Sequence, residues 1–123
     1  MEQTVIFLFG AINYMAIEIL WRGYTHWTMG ISGGLCAVLI FVCCREFPDS
    51  YFLTKCLAGA IIITAVELIT GIIVNLLLKW DVWDYSAKSF NFMGQICPLY
   101  FVLWFLLCIP IVSLFEYFQN NLL

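Results

Sequence analysis

The sequence predicts an all-α integral membrane protein with four transmembrane helices. Hydrophobic residues make up 64% of the chain and charged residues only 11%, and the mean hydropathy is +1.00. A soluble domain of this size buries only about 60–70% of the surface of its unfolded chain, which is too little to hide so many apolar side chains. The apolar residues also form four runs, each near the length of ~20 residues with which a helix crosses a bilayer.

We expect a single four-helix transmembrane domain over residues 1–123, with spans at about 4–21, 29–44, 52–79 and 97–118. The first run lacks a positive flank and ends in IEILWRG, which is not a small-residue cleavage site, so we interpret it as a retained helix and not as a signal peptide. The connections GYTHWT and REFPDS are short and polar. The third connection, KWDVWDYSAKSFNF, is an interfacial loop in which Trp80, Trp83, Tyr85 and Phe90 form an aromatic belt.

The third span carries one carboxylate, Glu67, near its middle. An ionised side chain at that depth costs at least ~2.5–3.5 kcal/mol, so it should face protein, water or a partner. Helical spacing places Glu67 on one stripe with Thr64, Thr70, Gly71 and Asn75. We therefore predict a buried acid that faces the bundle. Its role is either a proton or cation site, or a neutral structural acid that is hydrogen-bonded to Thr64, Tyr14 or Trp83.

The first span carries a second acid. Glu18 and Arg22 are four residues apart on one helix face, which permits an ion pair within the helix. The pair either belongs to the polar centre of the bundle or simply orients helices.

Two pairs of segments are similar, which predicts an internal repeat. Residues 10–20 (GAINYMAIEIL) match residues 59–69 (GAIIITAVELI) at a constant offset, and residues 29–41 match 93–105. The fold would then consist of two tandem parallel-repeat helix hairpins. Glu18 and Glu67 would be equivalent acids facing each other across a pseudo-two-fold axis.

Several further polar and aromatic residues are candidates for a substrate or ion site, and each has a structural alternative. His26 lies in a loop beside two aromatic residues, where it either packs at the interface or relays protons. Asp84 either binds substrate or caps a turn through Ser86. The amide side chains Asn75, Asn91 and Gln95 are further candidates, and their structural alternative is hydrogen bonding between helices. The aromatic side chains Trp80, Trp83 and Tyr85 are the remaining candidates, and their structural alternative is anchoring at the membrane interface.

The sequence indicates no catalytic centre, no metal site and no cofactor. The six cysteines lie in or beside apolar runs without a CxxC pair, so we expect them to act as small core hydrophobes. No Ser-His-Asp or Cys-His arrangement is present, and an intramembrane enzyme is the least favoured class. The net charge of -3 argues against nucleic acid as a partner.

Basic residues are divided almost evenly between the two faces, with Arg45 and Lys55 on one and Arg22, Lys79 and Lys88 on the other. This gives almost no positive-inside bias. We place the protein in the plasma membrane with both termini in the cytoplasm.

The region from Glu18 to Cys97 resembles a known family. The segments GYTHWTMGISGGLC and ELITGIIVN…WDVWDYS…FNFMGQIC are similar to small bacterial membrane proteins labelled as type IV ABC transporters, the CmpB-like family. The most specific matches are one helical group and one loop group: Glu67, Gly71, Asn75, Trp80, Trp83, Asp84, Tyr85, Asn91, Gly94 and Gln95. The resemblance implies transport, although the sequence contains no GxxxxGK[ST] motif for binding ATP.

Two functions from different classes follow. The first is a homo-oligomeric transporter or channel, favoured as a dimer, in which Glu18 and Glu67 line the polar centre and Arg22 is the counter-charge. Trp80, Trp83 and Asp84 would lie at its entrance. The second is a non-catalytic subunit that binds another membrane protein through the small residues Gly30–Gly34.

Overall fold

The computed structural model describes residues 2–121, and the side chains of residues 3–119. It contains four helices: α1 (Glu2–Arg22), α2 (Trp27–Glu46), α3 (Phe52–Gly71) and α4 (Pro98–Asn121). A π-helical segment, Ile72–Leu77, continues α3. All four helices are long and apolar enough to cross a membrane, which confirms the predicted all-helical fold with four spans.

Local sequence signals determine where the helices begin and end. Gly23 has a φ of 84°, which favours glycine, and it follows the last residue of α1. His26 caps α2, because its Nδ1 accepts a hydrogen bond of 3.2 Å from the Thr28 N–H. Pro98 is the first residue of α4, a position where its missing N–H costs nothing.

Helix α2 lies at the centre of the bundle. It packs against α1 on one side and against α3 and α4 on the other, while α3 and α4 form the second packed pair. Phe41 of α2 is fully buried, and its ring meets that of Phe115 at 5.4 Å between centroids. Five cysteines are buried, as expected for small core hydrophobes: Cys36, Cys44, Cys56, Cys97 and Cys108.

Small residues allow α1 and α2 to approach closely. A Cβ atom added to Gly33 would lie 2.5 Å from the Tyr14 Cβ, and one added to Gly34 would lie 2.8 Å from the Phe7 ring. One added to Gly30 would lie 2.7 Å from the Met15 sulfur. The small residues Gly30, Gly33 and Gly34 therefore pack against α1 of the same chain, and their use as an interface for a partner stays a prediction.

The loop between the π-helical segment and α4 is ordered by local contacts and is not helical. Four non-glycine residues have φ between 53° and 58°: Lys79, Asp81, Phe90 and Met93. Such conformations cost free energy and persist only where the surroundings fix them. Trp80 and Phe90 are exposed, as an aromatic belt requires, whereas Trp83 is buried and Tyr85 is half-buried.

An ion pair that the sequence did not predict joins α3 to α4. The Lys55 ammonium group lies 2.8 Å from Glu116 Oε1 and donates a further bond of 3.2 Å to the Pro48 carbonyl. The Lys55 cation is 5% exposed, whereas the Glu116 side chain is 34% exposed, so the pair lies with its cation buried and its anion partly open. The pair fixes the turn between α2 and α3 against α4.

The predicted internal repeat remains a prediction. Gly10 and Gly59 are equivalent positions in this repeat. If the same sequence offset is added to the first and last residues of α1, they fall within one residue of the bounds of α3.

Candidate functional site

The carboxyl group of Glu67 lines a groove between α1 and α4. Glu67 is 6% exposed, and the groove has a volume of about 160 Å³. Within the described residues, α1 and α4 have no close backbone approach and meet through aromatic side chains, such as Tyr14 and Trp104 at 5.9 Å between ring centroids. The side chains that surround Glu67 come from all four helices and the loop, and include Tyr14, Met29, Ser32, Trp83 and Trp104.

Two donors face the Glu67 carboxyl group. The Tyr85 hydroxyl donates a hydrogen bond of 3.0 Å to Glu67 Oε2. The Trp104 indole N–H is buried and interacts electrostatically with Glu67, but it makes no hydrogen bond of good geometry. Burial, followed by the nearby Glu67 charge, raises the pKa of Tyr85 well above its usual value, so Tyr85 remains a donor at neutral pH. The donor to Glu67 is thus Tyr85, and not Thr64, Tyr14 or Trp83 as expected from the sequence.

The ring of Tyr85 is held in a stack of aromatic side chains. It lies parallel to the Tyr100 ring at 4.6 Å between centroids, with an interplanar angle of 5°. The Tyr100 hydroxyl accepts a bond of 3.3 Å from the Trp21 indole, and the Lys88 ammonium lies 5.9 Å from the centre of the Tyr100 ring. The stack therefore links α1, the loop and α4 next to Glu67.

Asn75 attaches the loop to the π-helical segment. Its Oδ1 accepts bonds from the Val82 N–H at 2.7 Å and the Trp83 N–H at 3.4 Å, and its Nδ2 donates to Gln95 Oε1 at 2.8 Å. The Trp83 indole donates to the Gln95 carbonyl at 3.1 Å. Gly71 leaves room for the Gln95 side chain, because a Cβ at that position would lie 3.0 Å from the Gln95 Cβ.

The outer part of the loop is closed by Asp84 and Asn91. Asp84 Oδ1 accepts a bond of 2.8 Å from the Ser86 N–H, which is the contact expected of a turn cap. This bond lowers the pKa of the exposed Asp84 carboxyl group. Asn91 donates to the Ser86 and Lys88 carbonyls and accepts a bond of 2.9 Å from the Gly94 N–H.

The predicted ion pair in α1 is present and adjoins the groove. Arg22 Nε lies 2.6 Å from Glu18 Oε2, and Arg22 Nη1 donates a bond of 3.0 Å to the Val82 carbonyl. The Arg22 guanidinium also lies 4.5 Å from the centre of the Tyr24 ring. Glu18 and Arg22 line a second space of about 210 Å³. This space shares four lining residues with the groove: Tyr14, Ile17, Trp104 and Leu107.

His26 and Trp80 lie together in a separate aromatic cluster. The His26 ring is 5.6 Å from Trp27 and 6.0 Å from Trp80 between centroids, and His26 Nδ1 lies 2.7 Å from Thr28 Oγ1. Neither residue lines the groove or the adjoining space.

The structure thus divides the predicted site residues into three sets. Glu67 and Trp83 line the groove, whereas Glu18 and Arg22 line the adjoining space. Tyr85 also lines the adjoining space and donates a hydrogen bond to Glu67. A second set holds the loop in place and has no lining role in either space: Asn75, Asn91, Gln95 and Asp84. His26 and Trp80 form the third set, outside the site.

Sequence reasoning did not include Tyr14, Tyr100 and Trp104 among the site residues. Tyr14 was detectable, since it lies one helical turn before Glu18. Trp104 carried no signal, because an apolar span gives no indication of which aromatic residue faces inward. Across the described chain, no three His, Cys, Asp or Glu residues come together in a way that could hold a metal ion.

Comparison with known proteins identifies a family but no characterised relative. No curated protein and no solved structure matches the chain. A family model described as "Putative ABC-transporter type IV" matches residues 7–123, nearly the whole sequence. The match confirms the resemblance noted from the sequence. The chain is therefore an integral membrane protein that belongs to this CmpB-type, ABC-transporter-related family.

Proposed function

We propose that this protein is a homo-oligomeric transporter or channel for a small solute or ion, with Glu67 and Glu18 lining its polar centre. The observation that carries the proposal is that the Glu67 carboxyl group, in the middle of a span, borders a groove of about 160 Å³. Acids within membrane spans are rare and commonly mark the pathway of an ion or a substrate. Open space beside a buried carboxyl group provides room for an ion or solute.

The two acids provide a route from the loop end of the bundle to its middle. Glu18, already paired with Arg22, borders the outer space, and Glu67 borders the groove. Tyr14 and Trp104 lie at the boundary of both. A solute that passes these two rings would move from Glu18, whose charge is paired with Arg22, to Glu67, which has no basic partner among the described residues.

The lateral opening of the groove supports the oligomer. Few residues of α1 are buried, and within the described residues α1 and α4 meet through side chains without a close backbone approach. Four helices of one chain thus leave the groove open between α1 and α4. A second copy packed against these helices would form the missing wall, so a dimer is the favoured assembly.

The test is ion flux in vesicles that contain the purified protein. Proton entry is reported by trapped pyranine and potassium entry by a potassium dye, each under an imposed gradient. Glu67→Gln should abolish the flux or its pH dependence while leaving the oligomer intact, as judged by crosslinking. Glu46→Gln is the matched control, because the Glu46 side chain is 62% exposed at the end of α2. Unchanged flux in Glu67→Gln would contradict the proposal.

A non-catalytic subunit that binds another membrane protein is the alternative, favoured by the family's description as an ABC transporter. Such transporters work with an ATP-hydrolysing subunit. Affinity purification from native membranes tests it. Stoichiometric recovery of an ATPase, unaffected by Glu67→Gln, would support the alternative over the first function.

A further inference from the structure

We propose that the groove between α1 and α4 binds a small organic cation, namely a protonated amine that carries one apolar group about the size of a benzene ring. This inference names the substrate class of the site and rests on the proposed function for its biological role. Its evidence is the charge, size and lining of the groove.

Charge complementarity favours a cation. Glu18 is neutralised by Arg22 at 2.6 Å. No basic side chain among the described residues forms an ion pair with Glu67, whose hydrogen-bond donor is the neutral Tyr85 hydroxyl. Donors stabilise a carboxylate without cancelling its charge. The groove therefore holds one acid that lacks a counter-ion, and a ligand with a single positive charge would supply it.

The size of the groove limits the ligand. Its volume is about 160 Å³, and an apolar protein cavity of ~150 Å³ accommodates benzene. A single aromatic or short aliphatic group fits, whereas a larger body would have to extend through the lateral opening.

The lining provides aromatic surfaces for both parts of the ligand. Tyr14, Trp83 and Trp104 border the groove around Glu67. Ring faces attract ammonium groups, and this attraction is stronger where water is excluded. The Trp104 indole N–H is buried beside Glu67 without a hydrogen bond of good geometry, so it adds a polar donor to this lining.

The ligand would lie between α1 and α4, where the groove of a single chain is open. In the proposed dimer, the second copy would cover this opening and border the ligand without filling the groove. An acyl chain of a lipid, or a second copy whose side chains fill the groove, is the competing occupant.

Equilibrium binding to the full chain in lipid nanodiscs tests the inference. Three probes share one ring and differ in charge: radiolabelled benzylammonium, benzyl alcohol and benzoate. We expect saturable binding of benzylammonium, at least ten-fold weaker binding of benzyl alcohol, and no binding of benzoate. This comparison uses the unmodified protein, so it does not depend on a variant that folds.

Variants then locate the site. Glu67→Gln should weaken benzylammonium binding at least ten-fold and leave benzyl alcohol binding unchanged, whereas Glu46→Gln should change neither. Equal binding of the ammonium and the alcohol would overturn the inference and indicate an acyl-chain site. The inference would also be overturned if a lipid co-purified with the protein and benzylammonium failed to displace it. A dimer that fills the groove and binds no probe would have the same meaning.

The outcome is independent of the flux assay. Proton or potassium flux that depends on Glu67, without benzylammonium binding, would overturn this inference and leave the proposed function standing. Benzylammonium binding without any flux would contradict the proposed function, but it would support the inference that the groove binds a small organic cation.

Discussion

The hydroxyl of Tyr85 donates a hydrogen bond of 3.0 Å to Glu67 Oε2, and the two residues are 18 positions apart in the chain. The bond joins the loop before α4 to the last turns of α3. Any displacement of the loop would remove a donor from the buried carboxyl group. The conformation of the loop and the chemistry of the groove are therefore coupled.

Replacing Tyr85 by phenylalanine should destabilise the protein. The change keeps the ring stack but leaves Glu67 without its hydroxyl donor, and an unpaired buried polar group costs about 1–3 kcal/mol. Tyr100→Phe is the matched control, because its ring belongs to the same stack while its hydroxyl pairs only with the exposed Trp21 indole. Urea unfolding in detergent, followed by tryptophan fluorescence, measures both. Equal losses would mean that the Tyr85 hydroxyl does not stabilise the carboxyl group.

Asn75→Leu should release the loop from the helix. The substitution preserves volume but removes the acceptor of the Val82 N–H and the donor to Gln95. Each group left unpaired costs about 1–3 kcal/mol, so hydrogen exchange across residues 80–97 should accelerate strongly. Asn13→Leu is the control, since Asn13 is exposed and bonds only the Phe9 carbonyl of its own helix. Slow exchange in the Asn75 variant would show that other contacts are sufficient to hold the loop.

Gly33→Leu should separate α1 from α2. Even a Cβ at this position would lie 2.5 Å from the Tyr14 Cβ and 3.0 Å from the Gly10 carbonyl, so the helices must move apart. Overpacking of this kind costs about 1–3 kcal/mol or more. Ala16→Leu, on an exposed part of α1, should have little effect. Thermal unfolding in detergent compares the two, and equal stability would contradict the close packing of these helices.

The turn at Asp84 should open at low pH. Its pKa is lowered by the hydrogen bond from the Ser86 N–H, so the folded value lies below the unfolded value of about 3.9. The bond therefore stabilises the turn fully above pH ~3.9, and this contribution disappears as pH falls through the folded pKa. Exchange of the Ser86 amide between pH 2 and pH 5 should show this dependence. Asp84→Asn retains an acceptor oxygen and should abolish it, whereas Asp81→Asn should leave it intact.

The fold was predictable because membrane insertion constrains a sequence strongly. A helix that crosses hydrocarbon must be apolar along its length, so the positions of the four spans follow from hydropathy. The Glu18–Arg22 ion pair was also predictable, since spacing within one helix is fixed by helix geometry.

The site was predictable only in part, because its contacts join different helices. The burial of Glu67 followed from its depth in the membrane, but its Tyr85 donor depends on the path of the loop. The Lys55–Glu116 ion pair spans 61 residues and likewise leaves no local pattern. Asp84, Asn91 and Gln95 belong to the loop motif that resembles the family, and they hold the loop backbone in place. Their residue types do not distinguish this structural role from ligand binding.

The π-helical segment has a consequence for changes in chain length. In Ile72–Leu77 the backbone bonds widen, as in the bond of 3.0 Å from the Leu78 N–H to the Ile73 carbonyl, so the turn takes up one residue more than an α-helix would. A single-residue deletion within this segment would return it to α-helix without rotating the chain that follows. A deletion of the same size within α3 would turn Glu67 or Asn75 away from its partners. Apart from Asn75, this segment is thus the part of the span that could lose a residue at the least structural cost.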